Sequence, residues 1–301
     1  MPRTYRFITA DVFTNRRFGG NPLAVILDAK GLSDAEMQRI AREFNLSETT
    51  FVLPPASAQH ACAMRIFTPG LELPFAGHPT VGTAIVLAEC GLLPAGTESM
   101  VIEEKVGPVP VALSSRDGIR QAVFTVPRRP ERGGVPPARA DLARILSLPV
   151  DAIASEVEPL TYSAGVPFTF IPLRDVQALS AIRIDLAAWT DSLASGPAPH
   201  VFAFTMTDWK KGEEIQARMF APAMGIAEDP ATGAASAALA GLLVDLQQPA
   251  GGSRRWRIRQ GEAMGRPSLI TVEADLADNH LAAVRVGGGA VIVSHGEIML
   301  D

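Results

Sequence analysis

Two short segments of the chain combine a polar residue with a proline in the way expected at the start of a helix. In the first, His78 precedes Pro79, and in the second, Asp229 precedes Pro230. Proline is favoured at the first helical position, because its missing N–H would be unsatisfied there, so both prolines are expected to begin helices with His78 and Asp229 as N-caps. Free backbone N–H groups and the helix dipole attract anions at such a terminus. The segments therefore indicate a carboxylate-bearing ligand, although Asp229 would also serve as a plain cap.

Residues near the two helix starts include two glycines and one further acid. Gly77 and Gly233 have no side chain and would let a ligand approach the helix starts closely. Glu48 follows Ser47 at the entrance of a predicted strand, a place where an isolated glutamate is usually solvated. The residue pattern alone therefore favours the two helix starts over Glu48 as places for chemistry.

These segments belong to a repeat. Four pairs of segments match in the same order, at offsets of 153, 151, 150 and 145 residues: Arg65–Pro69 with Arg218–Pro222, Gly77–Ala84 with Glu228–Ala235, Gly91–Leu93 with Gly241–Leu243, and Gly20–Ile26 with Gly165–Ile171. The second pair equates Pro79 with Pro230. The repeat predicts two similar domains facing each other across a pseudo-twofold axis, with both helix starts at an interdomain cleft. A repeated strand-turn pattern without common architecture is the alternative.

The elements that would position these residues are of mixed type. Short β-branched or aromatic segments bounded by Pro or Gly predict strands at residues 24–27, 50–53, 109–113, 122–126, 201–206 and 281–286. Ser33 is expected to cap an amphipathic helix over Asp34 to Phe44. The helices after Pro79 and Pro230 are apolar on all faces, so each must be surrounded by protein.

The expected fold class is therefore α+β. Each of two pseudo-symmetric domains would be an antiparallel, barrel-like sheet around one buried helix. The expected domains are residues 1–118, completed by residues 286–301, and residues 119–285. The triplet Gly287–Gly289 is expected to form a turn or bulge, and the last strand, residues 290–294, to pack on the first domain.

Composition excludes several classes of function. The chain has 27 Lys and Arg against 32 Asp and Glu, a net charge of −5 with no long basic run, so no nucleic-acid partner is expected. The apolar segment from Ala231 to Val244 is too short to span a membrane, where about 20 residues are needed. The two cysteines, Cys62 and Cys90, are expected to be buried and inert in a cytoplasmic protein.

Longer runs of the sequence resemble one known family. The chain is similar to the PhzF family, named for the phenazine-biosynthesis isomerase, from Asp11 to about Ser268. The similarity is carried by the runs DVFTNRRFGGNPLAVI, NLSETTFV, RIFTPGLELPFAGHPTVGTA, MFAPAMGIAEDPATGAA and RQGEAMGRPS. The resemblance implies the diaminopimelate-epimerase fold, a homodimer, and an isomerase that needs neither a cofactor nor a metal.

The resemblance also implies roles for individual residues. Glu48 would be the acid/base group that moves a proton, as in the isomerisation of trans-2,3-dihydro-3-hydroxyanthranilate, and His78 and Asp229 would complete a polar catalytic cluster. The other residues expected around a small carboxylate-bearing substrate are Ser47, Gly77, Thr232, Gly233 and Ala234. Family members commonly carry Ser at the position of Ala234, so one side-chain contact to substrate would be missing.

Two other functions remain open at this point. Amino-acid epimerisation or racemisation on the same fold uses two thiols, but the expected positions hold His78 and Asp229 instead of cysteine. A non-catalytic protein that binds a small molecule is the other alternative. Turnover of dihydrohydroxyanthranilate would discriminate among the three.

Overall fold

The fold was described from a computed structural model, which describes residues 3–249, 251–277 and 280–301. Its strands are β1 (Arg3–Val12), β2 (Asn21–Ile26), β3 (Glu48–Leu53), β4 (Cys62–Phe67), β5 (Glu72–Leu73), β6 (Ser99–Glu104), β7 (Gly107–Arg116), β8 (Ile119–Thr125), β9 (Glu131–Arg132), β10 (Leu160–Ser163), β11 (Pro167–Pro172), β12 (His200–Thr205), β13 (Glu214–Ala221), β14 (Ile226–Asp229), β15 (Gly252–Gln260), β16 (Ser268–Ala277) and β17 (His280–Leu300). Its helices are α1 (Asp34–Phe44), α2 (Gly77–Glu89), α3 (Arg139–Ile145), α4 (Val176–Ala181), α5 (Leu186–Ser192) and α6 (Gly233–Gln247).

The chain divides into two compact units. The first comprises residues up to Pro127 together with Gly287–Asp301, and the second comprises Arg128–Val286. The strand β8 belongs to the first unit because it pairs with β7 and packs on α2.

The first unit is a closed sheet around α2. The strands β1, β2, β3, β4, β6, β7 and β8 pair in that order, and β17 pairs with both β8 and β1 to close the ring. Every residue of α2 from Gly77 to Leu87 is buried, as expected for a helix that is apolar on all faces. Gly82 allows this packing, since a Cβ there would lie 2.6 Å from side-chain atoms of Leu23 and Val12.

The outer layer of the first unit is α1, which has the predicted bounds. Ser33 and Glu36 form a capping box at its N-terminus, which satisfies two backbone N–H groups. Met37, Ile40 and Ala41 are buried in a cluster that includes Phe51 of β3. The amphipathic pattern therefore placed the helix correctly.

The second unit repeats the pairing scheme of the first. The strand β10 pairs with β11, β11 runs parallel to β12, β12 pairs with β13, and β13 runs parallel to β15, which pairs with β16. These relations match those of β1, β2, β3, β4, β6 and β7 one by one, and α6 is the buried central helix. The short helices α3, α4 and α5 cover Val201 and Ala203 on the outer face of the sheet. The α+β class with one buried helix per repeat is confirmed.

The glycine triplet was expected to form a turn or bulge, and the turn is wrong. Gly287 to Gly289 lie inside β17, which is continuous from His280 to Leu300, and do not form a turn. A Cβ at Gly287 would lie 2.5 Å from the Ala122 carbonyl oxygen, so glycine is required for close approach to β8. The predicted last strand, residues 290–294, lies within the part of β17 that pairs with β1.

The structure also changes the alignment of the repeats. Arg65 forms a bidentate ion pair with Glu72, and Arg218 forms the same pair with Glu228, with N–O distances of 2.8–2.9 Å. The residue that follows each glutamate is paired with the residue that follows each arginine, Leu73 with Ile66 and Asp229 with Met219. Pro230 therefore corresponds to Pro74 and not to Pro79, which was the expected match.

The helix starts confirm the corrected register. The N-cap residues are Ala76 and Thr232, and Gly77 and Gly233 are the first residues of α2 and α6. By contrast, the expected match of Gly91 with Gly241 is wrong, because Gly91 follows α2 with φ +67° whereas Gly241 lies inside α6. The similarity of those two segments is accidental.

Candidate active site

The first unit brings together the two side chains expected to carry acid/base chemistry. Glu48 is the first residue of β3, and His78 is the second residue of α2. Their side chains are 13% and 6% exposed, and Glu48 Oε2 lies 3.4 Å from His78 Nε2. This distance is long for a hydrogen bond.

His78 is held as a neutral imidazole of one tautomer. Burial lowers its pKa to about 3, and a hydrogen bond with the backbone of Pro22 acts in the opposite direction. Proline has no N–H, so the bond runs from the ring to the Pro22 carbonyl, and Nδ1 carries the proton because Nε2 faces Glu48. Nε2 is therefore an acceptor toward Glu48.

A second buried acid lies beside the first turn of α2. Thr80 Oγ1 lies 2.8 Å from the Ala76 carbonyl and 2.7 Å from Glu104 Oε1. The hydroxyl has one proton, so a protonated Glu104 that donates to Thr80 lets Thr80 donate to the Ala76 carbonyl at the same time. Burial raises the pKa of Glu104 to about 8, which agrees with this assignment.

The second unit has a polar cluster of its own at the start of α6. Thr232 Oγ1 donates to Asp229 Oδ2 at 2.5 Å and accepts from Gln260 Nε2 at 2.9 Å. Gln260 Nε2 also lies 2.7 Å from the Asp229 carbonyl, and Gln260 Oε1 accepts from the Thr232 backbone N–H. Asp229 is 6% exposed, so this network fixes a buried carboxylate against the helix start.

Neither His78 nor Asp229 is the N-cap that the prolines predicted. His78 lies within the first turn of α2, where Pro79 is tolerated because the first N–H groups of a helix have no intrahelical partner. Asp229 ends β14, because its pairing with Met219 keeps the chain extended, and α6 begins only after Thr232.

The comparisons with known proteins agree over almost the whole chain. The sequence model of the family described as phenazine biosynthesis-like protein matches residues 10–296. The chain belongs to this family. It is 41% identical over 304 residues to an uncharacterized isomerase of Mesorhizobium japonicum, covering 99% of this chain and 100% of that protein. It is 37% identical over 300 residues to the trans-2,3-dihydro-3-hydroxyanthranilate isomerase of Pseudomonas aeruginosa, covering 98% and 100%.

A solved structure gives the same result for the fold. The chain is similar to the Bacillus anthracis phenazine biosynthesis protein of the PhzF family, with a TM-score of 0.88 and 27% identity, covering 99% of this chain and 100% of that one. The predicted resemblance and fold are therefore confirmed, and this phenazine biosynthesis-like protein is an isomerase.

The remaining predicted site residues differ in their contacts and burial. Ser47 Oγ donates to Asn21 Oδ1 at 3.3 Å, next to Glu48. Ala234 is the second residue of α6 and is partly buried. Ser236 does not replace the hydroxyl missing at Ala234, because it is fully buried and donates to the Thr232 carbonyl.

The cysteines differ from the expectation. Cys62 is buried, and burial raises its pKa to about 12, so its thiol is not a nucleophile. Cys90 was expected to be buried but is exposed, because it caps the far end of α2 outside the sheet. The two positions at which thiols were expected hold His78 and Asp229. The arrangement gives no support to an epimerase with two thiols.

Within residues 3–249, 251–277 and 280–301, no group of three or more His, Cys, Asp or Glu side chains could hold a metal ion. Across the same part of the chain, every helix is too short or too polar to cross a membrane.

Two buried polar residues at the site were not predicted. Gln260 lies in the run RQGEAMGRPS, which carried the family resemblance but was not assigned a role. Glu104 follows Glu103 as the last residue of β6. Burial alternates along that strand, so Glu104 lies on its buried face and Glu103 does not. An acidic residue on the inner face of a half-buried strand needs a hydrogen-bond partner, and for Glu104 this partner is Thr80.

Proposed function

We propose that this isomerase moves a proton on a small carboxylate-bearing substrate without a cofactor, with Glu48 as the acid/base group. The observation that carries the proposal is the contact between Glu48 and a neutral His78 in the first turn of a buried helix. The Pseudomonas aeruginosa relative is named for isomerisation of trans-2,3-dihydro-3-hydroxyanthranilate, so a compound of that kind is the proposed substrate.

The proposed step needs only one group that takes and returns a proton. The Glu48 carboxylate removes a proton from a saturated carbon, the electron pair of that C–H bond shifts the double bonds, and Glu48 returns the proton to another carbon. Atoms and electrons balance without an oxidant or reductant. While Glu48 holds the proton, its O–H can donate to His78 Nε2, which stabilises the intermediate state.

Backbone N–H groups at the helix starts are proposed to bind the substrate carboxylate. Gly77 and His78 begin α2, where the N–H groups lack intrahelical partners and the dipole favours an anion. Gly233 begins α6 beside the ordered Asp229–Thr232–Gln260 cluster, which is proposed to position polar groups of the substrate. Thr232 would act through Asp229, since its hydroxyl proton is already donated there.

We also propose that the protein is a cytoplasmic homodimer. The dimer follows from the family resemblance, and a reducing compartment suits the two free cysteines. Light scattering coupled to gel filtration measures the mass in solution, and a mass of one chain, 31.9 kDa, would contradict the dimer.

The test of the function is Glu48→Gln. This change keeps the size and hydrogen-bonding capacity of the side chain but removes its titratable proton, so turnover of trans-2,3-dihydro-3-hydroxyanthranilate should fall at least about a hundredfold. Substrate affinity and the midpoint of thermal unfolding should stay close to those of the wild type. Turnover is followed by the change in absorbance of the diene.

The matched control is Glu43→Gln, an exposed acid on α1 away from the site, which should keep full activity. Near-full activity of Glu48→Gln would remove Glu48 from the mechanism and make His78 or Asp229 the candidate. A wild-type protein that binds the substrate but never turns it over would support the non-catalytic alternative.

A further inference from the structure

The second unit contains a buried histidine at the position that Glu48 occupies in the first. In the parallel pair of β2 and β3, Glu48 is opposite Leu23, and in the parallel pair of β11 and β12, His200 is opposite Phe168. Leu23 and Phe168 occupy the same place in the matched segments GNPLAVI and GVPFTFI. His200 is thus the equivalent of Glu48 in the second repeat.

A second pairing leads to the same equivalence. Thr49, which follows Glu48, is opposite Phe67 of the segment RIFTP. Val201, which follows His200, is opposite Phe220 of the matching segment RMFAP. Two neighbouring strands on opposite sides of the residue therefore fix the same register.

The imidazole lies on the inner face of its sheet. Val201 and Ala203 belong to the outer cluster with α3, α4 and α5, so the alternate residues His200 and Phe202 face the side of the buried helix. In the first unit, Glu48 shares its face with Thr50, whose hydroxyl contacts Thr83 of α2 at 2.9 Å. The rings of His200 and Phe168 lie 5.7 Å apart.

The surroundings of the two equivalent side chains differ at the helix start. Glu48 meets the ring of His78, the second residue of α2. The second residue of α6 is Ala234, whose side chain is a single methyl group. His200 is 5% exposed, and its Nδ1 has no hydrogen-bond partner among the described residues. A buried polar atom of this kind costs free energy unless something pairs with it.

We propose that His200 is a further substrate-binding residue, whose imidazole hydrogen-bonds a hydroxyl or amino substituent of the carboxylate substrate. This inference rests on the proposed function, because it assigns a specificity-determining contact to the same substrate. Burial lowers the pKa of His200, so the ring is neutral and can pair with a neutral polar substituent. His200 takes no part in moving the proton.

The experiment compares three aromatic acids that share a carboxylate but differ in their substituents. Binding of 3-hydroxyanthranilate, anthranilate and benzoate is measured by calorimetry with wild type, His200→Phe and His200→Asn. Phe keeps a planar ring without nitrogen, whereas the Asn amide places a polar atom close to the position of Nδ1. His295→Phe, an exposed histidine of β17, is the matched control.

His200→Phe should weaken binding of 3-hydroxyanthranilate about tenfold, since the imidazole contact is lost, and change benzoate binding less than twofold. His200→Asn should recover part of the loss, and His295→Phe should match the wild type. In turnover, His200→Phe should raise KM with little change in kcat, as expected when ground state and transition state lose the same contact.

A measurement on the wild type does not depend on whether the variants fold. The ¹⁵N resonances of the His200 ring should shift when 3-hydroxyanthranilate is added and remain almost unchanged with benzoate. Equal losses for 3-hydroxyanthranilate and benzoate, no loss in His200→Phe, no ring shift, or no binding of 3-hydroxyanthranilate by the wild type would each overturn the inference.

The outcomes also separate this inference from the proposed function. Wild type that binds 3-hydroxyanthranilate through His200 but fails to isomerise dihydrohydroxyanthranilate would refute the isomerase substrate and leave the His200 contact standing. Normal isomerisation with a His200→Phe variant indistinguishable from wild type would refute only the His200 contact.

Discussion

The two repeats have kept the same scaffold. In each repeat, an arginine–glutamate ion pair joins the two strands that precede the central helix, Arg65 with Glu72 and Arg218 with Glu228. Each arginine also stacks over the phenylalanine two residues on, at 5.1 and 5.0 Å. In the first turn of each helix a hydroxyl donates to the carbonyl of the N-cap residue. These shared contacts fix the strand register and the helix start.

The repeats differ in the side chains that surround the helix start. The equivalent of Glu48 is His200, the equivalent of His78 is Ala234, and Asp229 has the apolar Leu73 as its counterpart. The polar side chains at these equivalent positions are therefore not shared by the two repeats. The residues that the repeats share build the fold, whereas those that differ are the candidates for chemistry, a distinction that a single copy of the fold would not allow.

The largest expected effect tests the shared ion pair. Arg218 is 12% exposed and also donates to the carbonyls of Leu179 and Ile182, so Arg218→Met should lower the free energy of unfolding by about 3–5 kcal/mol. Arg65 is 26% exposed, and its loss should cost about 1 kcal/mol. Urea denaturation measures both values. Equal losses in the two repeats would contradict the difference in burial, and the double variant Arg218→Met with Glu228→Gln should recover part of the loss.

The next effect concerns a pair of equivalent residues at the ends of β6 and β15, Glu104 and Gln260. Burial raises the pKa of Glu104 from 4.5 to about 8, so between these values the unfolded chain has lost a proton that the native state keeps. Stability falls across this window as pH rises, by about 1.4 kcal/mol per pH unit. Below pH 6.5 the lowered pKa of His78 gives the opposite slope, since the unfolded chain then binds the extra proton.

Glu104→Gln should therefore flatten the pH dependence of unfolding between pH 6.5 and 8, because the amide of Gln does not titrate. Urea denaturation at several pH values measures this, with the exposed Glu98→Gln as control. A wild-type profile that is already flat in this range would show that Glu104 is ionised in the native state.

The smallest effects concern the thiols, which only the first repeat contains. Cys62→Ser places a hydroxyl in an apolar strand position and should cost about 1–3 kcal/mol, whereas Cys90→Ser should change stability by less than about 0.5 kcal/mol. Neither change should reduce kcat, measured with the substrate of the wild type. A large loss of turnover in either variant would reopen the thiol mechanism.

Several features could be predicted because they depend on local pattern. The helix α1 has its expected bounds, since the Ser33 cap and the spacing of Met37 and Ile40 act within one element. The apolar composition of α2 and α6 was sufficient to place them inside a sheet. The offset between the repeats was wrong at the helix starts, because the prolines after His78 and Asp229 look equivalent in sequence. The strand pairing before each helix and the arginine–glutamate ion pairs show instead that Pro230 corresponds to Pro74.

By itself, the sequence determined the α+β class, the duplication, the two buried helices and the family, since each follows from periodicity, composition or long matched runs. Only the tertiary structure decided which polar side chains share an environment. Glu48 and His78 are 30 residues apart in the chain, but their side chains approach to 3.4 Å. Glu104, at the end of β6, forms a hydrogen bond with Thr80 of α2. The pKa of a buried group depends on the atoms around it, and strand pairing over long sequence distances brings those atoms together.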